Sequence, residues 1–224
     1  MSISIAEIIG PSGAGKSSVA EFLDAAGGVR AGVTIWGLPM PLIAASTVRA
    51  IPKLGRVILG RRRLRIAELK QVIRLEAFYR YLTAGENDPA TRLLILDEGA
   101  VFALAKLRAD LNGAAKGSLY ESWESEQLDR WARLIDTVIW LDAPDDLLIE
   151  RINSRDKKHR MKNRPEAEVV AFLHGYREAY DSIVRELEKR RGLRVYRYET
   201  ADTVSSSLAK EILSIGNGRG TSAA

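Results

Sequence analysis

Residues 10–17 read Gly-Pro-Ser-Gly-Ala-Gly-Lys-Ser, a full match to G-x-x-x-x-G-K-[ST]. This stretch restricts the fold because each fixed residue has a physical task. Gly10, Gly13 and Gly15 let the backbone curl until its N–H groups point inward at an anion. Lys16 reaches the β- and γ-phosphates of a nucleotide, and the Ser17 hydroxyl faces Mg²⁺. The helix that follows adds its positive N-terminal end. Such a loop works between a strand and a helix, and both neighbours fit. Ser2–Ile9 carries Ile3, Ile5, Ile8 and Ile9 and reads as a buried strand, while Ser17–Leu23 reads as a helix. A chance match in a chain of this length has a probability of roughly 1%. The predicted nucleotide contacts are Gly10, Ser12, Gly13, Ala14, Gly15, Lys16, Ser17 and Ser18.

Four further apolar segments read as core strands: Val33–Trp36, Leu93–Leu96 ending in Asp97, Thr137–Leu141 ending in Asp142, and Leu193–Tyr198. Helical patterns lie between them. Leu75, Phe78, Tyr79 and Leu82 recur at helical spacing. Pro144 and Pro165 stand at expected first helical positions, the latter opening a long helix through Val169, Leu173, Tyr176, Tyr180, Ile183 and Leu187. Strands alternating with helices predict a parallel sheet covered on both faces, a three-layer α/β/α arrangement. The chain has 224 residues, 46% of them hydrophobic, enough for one core. A single domain over residues 1–214 is expected, with a disordered tail at 215–224.

Leu93–Glu98 reads Leu-Leu-Ile-Leu-Asp-Glu. A buried run ending in an acid, downstream of a phosphate loop, places Asp97 as a Mg²⁺ ligand beside Ser17, acting through the ion's water shell. Glu98 is a candidate to activate a hydroxyl or a water, or to orient an arginine; a solvated loop residue is the alternative. Residues 151–164 read RINSRDKKHRMKNR. Arg151 and Arg155 are four apart and predict a shared helix face. Arginine forks stabilise the charge of a phosphoryl group in transfer, and a mobile flap over the loop excludes water. The predicted catalytic set is therefore Lys16, Glu98, Arg151 and Arg155, with Arg151 also touching the nucleotide. The pattern names no partner for His159, which leaves it solvated.

From Ala25 to Ala67 there is no Asp or Glu, while Arg30, Arg49, Lys53, Arg56, Arg61, Arg62, Arg63 and Arg65 fall in the same stretch. An acceptor hydroxyl needs a base. Either the acceptor is anionic and already ionised, or Glu98 supplies the base. Arg61–Arg65 as an exposed loop is the competing reading. Trp36, Leu38, Pro39 and Met40 follow the second strand, where an acceptor ring could stack.

These pieces resemble the nucleoside/nucleotide kinase group of P-loop proteins, particularly thymidylate kinase-like proteins. The matching parts are Gly10–Ser17, Leu93–Gly99, the passage Val138–Pro144 with Leu148, Arg151 and Arg155, and the helix with Tyr176, Arg177 and Tyr180. The resemblance implies a five-stranded parallel core, ATP as donor, Mg²⁺, a lid over the phosphates, and an adenine site near Thr200–Thr203. The chain departs from that pattern at Glu98, where thymidylate kinases carry Arg, and in lacking an acid after the second strand.

The leading expectation is ATP-dependent phosphoryl transfer to a small, anionic acceptor, a nucleotide or a phosphorylated metabolite. Two alternatives stay open: an ATPase in which Glu98 activates water, and a polynucleotide-end kinase, prompted by the formal charge of +5. With no Cys there is no disulfide and no thiol nucleophile. The N-terminal residues carry no secretory pattern and no apolar run is long enough to span a bilayer, so a cytoplasmic protein is expected, without a membrane partner. A nucleic-acid partner is disfavoured and a homodimer is left open.

Overall fold

A computed structural model of the chain describes residues 3–48, 66–84, 90–110, 118–156, 158–201 and 205–217. Among the described residues there are five strands: β1 (Ser4–Ile9), β2 (Val29–Val33), β3 (Leu93–Asp97), β4 (Thr137–Asp142) and β5 (Arg194–Glu199). They pair in parallel in the order β2-β3-β1-β4-β5. The helices are α1 (Lys16–Asp24), α2 (residues 40–48), α3 (Ile66–Thr83), α4 (Ala100–Ala109), α5 (Ser118–Ala132), α6 (Asp145–Ser154), α7 (Glu166–Arg191) and α8 (Ser205–Asn217). The chain thus has the predicted three-layer α/β/α architecture.

Both faces of the sheet are covered because side chains alternate along each strand. Ile5, Ile9, Leu94, Leu96, Val138 and Trp140 pack with α3, α4, α5 and most of α7. Ala6, Ile8, Ile95, Ile139 and Leu141 face the other way, onto α1, α6, α8 and the start of α7. β1 lies between β3 and β4, and the connection from β1 to β2 runs to one side while that from β3 to β4 runs to the other. That switch point opens a crevice at the carboxyl ends of the strands, where ligands bind in such sheets.

Three expectations on boundaries are corrected. The second strand lies at Val29–Val33, not Val33–Trp36. Gly28, at φ 78°, turns the chain straight out of α1, and its carbonyl accepts N–H bonds from Arg92 and Leu93, so pairing starts at Val29 with Leu93. Trp36 falls instead in a turn whose N–H bonds to Thr34 Oγ1. Pro144 and Pro165 are the residues before their helices, at ψ 147° and 137°, rather than the first helical positions. Helix α8 runs through Asn217, past residue 214 where the domain was expected to end. Residues 218–224, and Arg49, Lys53, Arg56 and Arg61–Arg65, lie outside the described residues.

Glu7 interrupts the apolar β1 and is fully buried on the Ile5–Ile9 face, toward α4. Its Oε2 accepts the Val101 N–H and its Oε1 the Phe102 N–H, both at 2.9 Å. Helix α4 has no side-chain cap at its own N-cap residue, Gly99, so a carboxylate from the central strand satisfies its first turn and meets its dipole. A Cβ on Gly99 would come within 2.7 Å of Glu7 Oε2, which is why that position is glycine. Burial pushes Glu7 from 4.5 up to about 7, against the opposing pull of the backbone N–H groups. Between those values the folded chain holds a proton that the unfolded chain has released. The contribution of Glu7 to stability is therefore greatest below the unfolded value and falls as pH rises to about 7, by about 3 kcal/mol. Denaturant titrations on either side of that window should show this loss, and Glu7→Gln should flatten it.

Candidate active site

The phosphate loop is shaped by glycine where its own backbone is tightest. Gly10, Gly13 and Gly15 sit at φ 143°, 95° and 83°. A Cβ on Gly10 would lie 2.0 Å from the Leu141 carbonyl oxygen, and one on Gly13 would lie 3.0 Å from that of Leu148. The loop therefore rests directly on the backbone of β4 and α6. Lys16 Nζ lies over it, donating to the carbonyls of Gly10 at 2.8 Å and Pro11 at 2.9 Å. Burial lowers the Lys16 pKa, while the charges of Asp97 and Glu98 oppose that shift.

Strand β3 ends beside the first turn of α1. Ser17 Oγ donates to Asp97 Oδ2 at 3.1 Å. Asp97 Oδ1 is buried and has no hydrogen-bond partner among the described residues. A buried carboxylate oxygen left unpaired next to a hydroxyl suits a hard cation that takes its remaining oxygens from water and phosphate. The donor set thus fits Mg²⁺ at Ser17 and Asp97. Among the described residues there is no cluster of three His, Cys, Asp or Glu that could hold a metal by protein groups alone.

Glu98 follows in the left-handed region, at φ 57°. That twist turns its side chain toward the end of β2, where its Oε2 accepts the Trp36 indole N–H at 2.5 Å. The Ile35 N–H bonds to the Glu98 carbonyl at 3.3 Å. Trp36 is 41% exposed, and the Arg74 guanidinium of α3 lies 4.5 Å from its ring centroid. The acid-free stretch and the acid of β3 therefore meet in one place, which sequence spacing did not reveal. Leu38 is buried in the core and Met40 is exposed.

On the other side of the loop lies a cavity of about 390 Å³ lined by Gly13, Gly15, Ser18, Arg151, Arg155 and Thr200. Arg151 donates to the Gly13 carbonyl at 3.3 Å and to Thr200 Oγ1 and O at 3.2 and 2.9 Å. Thr200 in turn donates its N–H and hydroxyl to the Asp142 carbonyl, at 2.7 and 3.0 Å. The Asp142 carboxylate is gripped by Arg177 of α7 at 2.9 Å. One chain of hydrogen bonds thus runs from α7 to the phosphate loop.

Arg151 and Arg155 do not share a helix face. Helix α6 stops at Ser154, and Arg155 is extended at φ −69°, ψ 143°, because the chain there folds back: Asn163 N–H reaches Asn153 Oδ1 and Lys162 Nζ reaches the Arg155 carbonyl. Both arginines still line the cavity. His159 is not left solvated either; its Nε2 lies 3.1 Å from Ser12 Oγ. Sequence reasoning also passed over Glu7, although a charged residue inside a buried strand was a readable signal.

No protein-family model matches the chain, and no curated protein matches its sequence. Solved structures do share its fold. Thymidylate kinase from Candida albicans is 12% identical, with a TM-score of 0.59 over 95% of this chain and 90% of that one. Deoxyadenosine kinase from M. mycoides with bound dATP is 16% identical, with a TM-score of 0.54 over 96% and 100%. The YorR protein of Bacillus subtilis, in complex with phosphorylated GDP, is 15% identical, with a TM-score of 0.53 over 96% of each chain. The chain has the fold of these kinases.

The glycine geometry makes a graded test. Gly15→Ala meets open space and carries only the left-handed backbone strain, on the order of 1–2 kcal/mol. Gly10→Ala must also displace the Leu141 carbonyl and should cost several times more, on the order of 4 kcal/mol or above. Urea melts of the two variants should separate clearly.

Proposed function

We propose that the chain is an ATP-dependent kinase for a small anionic acceptor, a nucleotide or a phosphorylated metabolite. The observation that carries this reading is the meeting of the phosphate loop with the end of β3. Lys16, Ser17 and Asp97 converge there, and Asp97 keeps one buried oxygen without a partner among the described residues. The shared fold with the nucleoside and nucleotide kinases supports it, as does the division of the crevice into two sides.

The donor side is the cavity between the loop, α6 and Thr200. Loop N–H groups and the α1 N-terminus would hold the phosphates, with Arg151 and Thr200 shaping the mouth toward the base. Mg²⁺, held by Ser17 and Asp97, would neutralise charge developing on the β- and γ-oxygens. The acceptor side lies at Trp36, Arg74 and Glu98. A planar acceptor can stack on the exposed indole, and Arg74 supplies positive charge beside it. The acceptor oxygen attacks the γ-phosphorus as the bond to the bridging oxygen breaks and ADP departs. If that oxygen belongs to a phosphate it is already ionised; if it is a hydroxyl, its proton passes to Glu98. Lys16 and Arg155 stabilise the charge spread over the transferring group.

Incubation with ATP and Mg²⁺ against a panel of nucleosides, nucleoside monophosphates and phosphosugars should give ADP only with an acceptor, and most with the anionic ones. Rapid ADP formation without acceptor, abolished in Glu98→Gln, would establish the ATPase instead. Lys16→Ala should lower turnover on the order of 10²-fold or more while the chain remains folded, with a single cooperative thermal melt. Arg155→Ala should lower kcat more than it weakens ATP binding, since its charge matters mainly in the transition state.

A further inference from the structure

The segment after α6 is closed on itself before it meets the phosphate loop. Asn163 N–H donates to Asn153 Oδ1 at 2.9 Å, Lys162 Nζ to the Arg155 carbonyl at 2.5 Å, and Lys162 N–H to the His159 carbonyl at 3.1 Å. Asn163 takes a left-handed φ of 59° to close the turn. The result is a small basic clasp that projects His159 onto the loop.

Both nitrogens of that imidazole are engaged. Nδ1 accepts the Met161 N–H at 3.2 Å, so the ring proton sits on Nε2 and is donated to Ser12 Oγ at 3.1 Å. The imidazole packs edge-on against Phe172 of α7, with centroids 5.9 Å apart, and the Arg160 guanidinium sits 4.4 Å from the Phe172 ring centroid. Arg160 also reaches Asp110 at the end of α4, at 3.8 Å. Burial, and then the charges of Arg155, Arg160 and Lys16, keep the imidazole below its ordinary pKa and so in the neutral form that makes both bonds.

We propose that His159 is a positioning residue whose bond to Ser12 seats the basic clasp on the phosphate loop and holds Arg155 at the mouth of the nucleotide cavity. Arg155 has left the helix, so no helical backbone sets its place. Without the Ser12 bond the clasp would lose its direct hold on the phosphate loop, and the guanidinium would have to be ordered anew in each turnover. The role of Arg155 in transfer rests on the kinase reading; the seating of the clasp does not.

Limited trypsin digestion of the full chain, without nucleotide, reads the seating at Lys158, Arg160 and Lys162. Cleavage of the clasp tracks the population in which it is open. His159→Ala should be cut roughly 3- to 10-fold faster than wild type, the worth of one hydrogen bond. His159→Gln, whose amide N–H can reach Ser12, should be cut at close to the wild-type rate. Ser12→Ala removes the same bond from the loop side, so the test survives a poorly folded histidine variant. In the transfer assay His159→Ala should lower kcat by a similar factor with KM for the acceptor unchanged. The double variant Ser12→Ala/His159→Ala should be no worse than the poorer single. Equal cutting of wild type and His159→Ala, no rescue by Gln, or losses that add in the double variant would each overturn the proposal. A wild type that transfers no phosphoryl group sinks the kinase reading instead, and the digestion still decides the latch.

Discussion

The close approach between the phosphate loop and the backbone of β4 and α6 governs the rest of this molecule. Gly10 lies so near the Leu141 carbonyl that no side chain fits, and Gly13 is pressed against Leu148 in the same way. The loop is not a flexible tether between β1 and α1 but a surface laid on the neighbouring strand–helix passage. Parallel pairing of β1 with β4 sets the height of that surface, and Arg151 ties Gly13 to Thr200 across it. An anion site made of backbone N–H groups, as proposed for this loop, needs such rigidity, because dipoles that must reorganise around a charge stabilise it poorly.

A second constraint acts from inside the sheet. Glu7 is a carboxylate placed where apolar packing would be the default, and it holds the first turn of α4. The residue immediately before that turn's glycine is Glu98, whose left-handed backbone aims its side chain at Trp36. Asp97 points to α1 and Glu98 to the end of β2, so two adjacent acids face the two sides of one crevice. Their divergence comes from one backbone angle and from a capping group three positions ahead of the phosphate loop.

Much of this was legible in the chain. The strand–loop–helix around Gly10–Ser17, the apolar runs ending at Asp97 and Asp142, and the long helix after Pro165 carry their own local signals, since buried parallel strands read as continuous apolar runs. The second strand is not legible in the same way, because Val-Arg-Ala-Gly-Val carries little hydrophobic pattern and its pairing is imposed by β3. The helix face expected for Arg151 and Arg155 failed because α6 ends where the chain folds back on Asn153, a contact between residues ten apart that spacing rules do not see. His159 reads as solvated in the sequence because its partner, Ser12, lies 147 positions away.

The chain's local pattern was enough to put a glycine-rich loop between a buried strand and a helix, with an acid-ended strand in the same fold, because these features are written in local residue type and period. Tertiary structure alone decided which side chains share the crevice. Trp36, Arg74 and Glu98 come from three separate elements, as do Ser12, His159 and Phe172. Distances between such groups are set by strand order and by how helices lie on the sheet, and those follow from burial of the whole core rather than from any one segment.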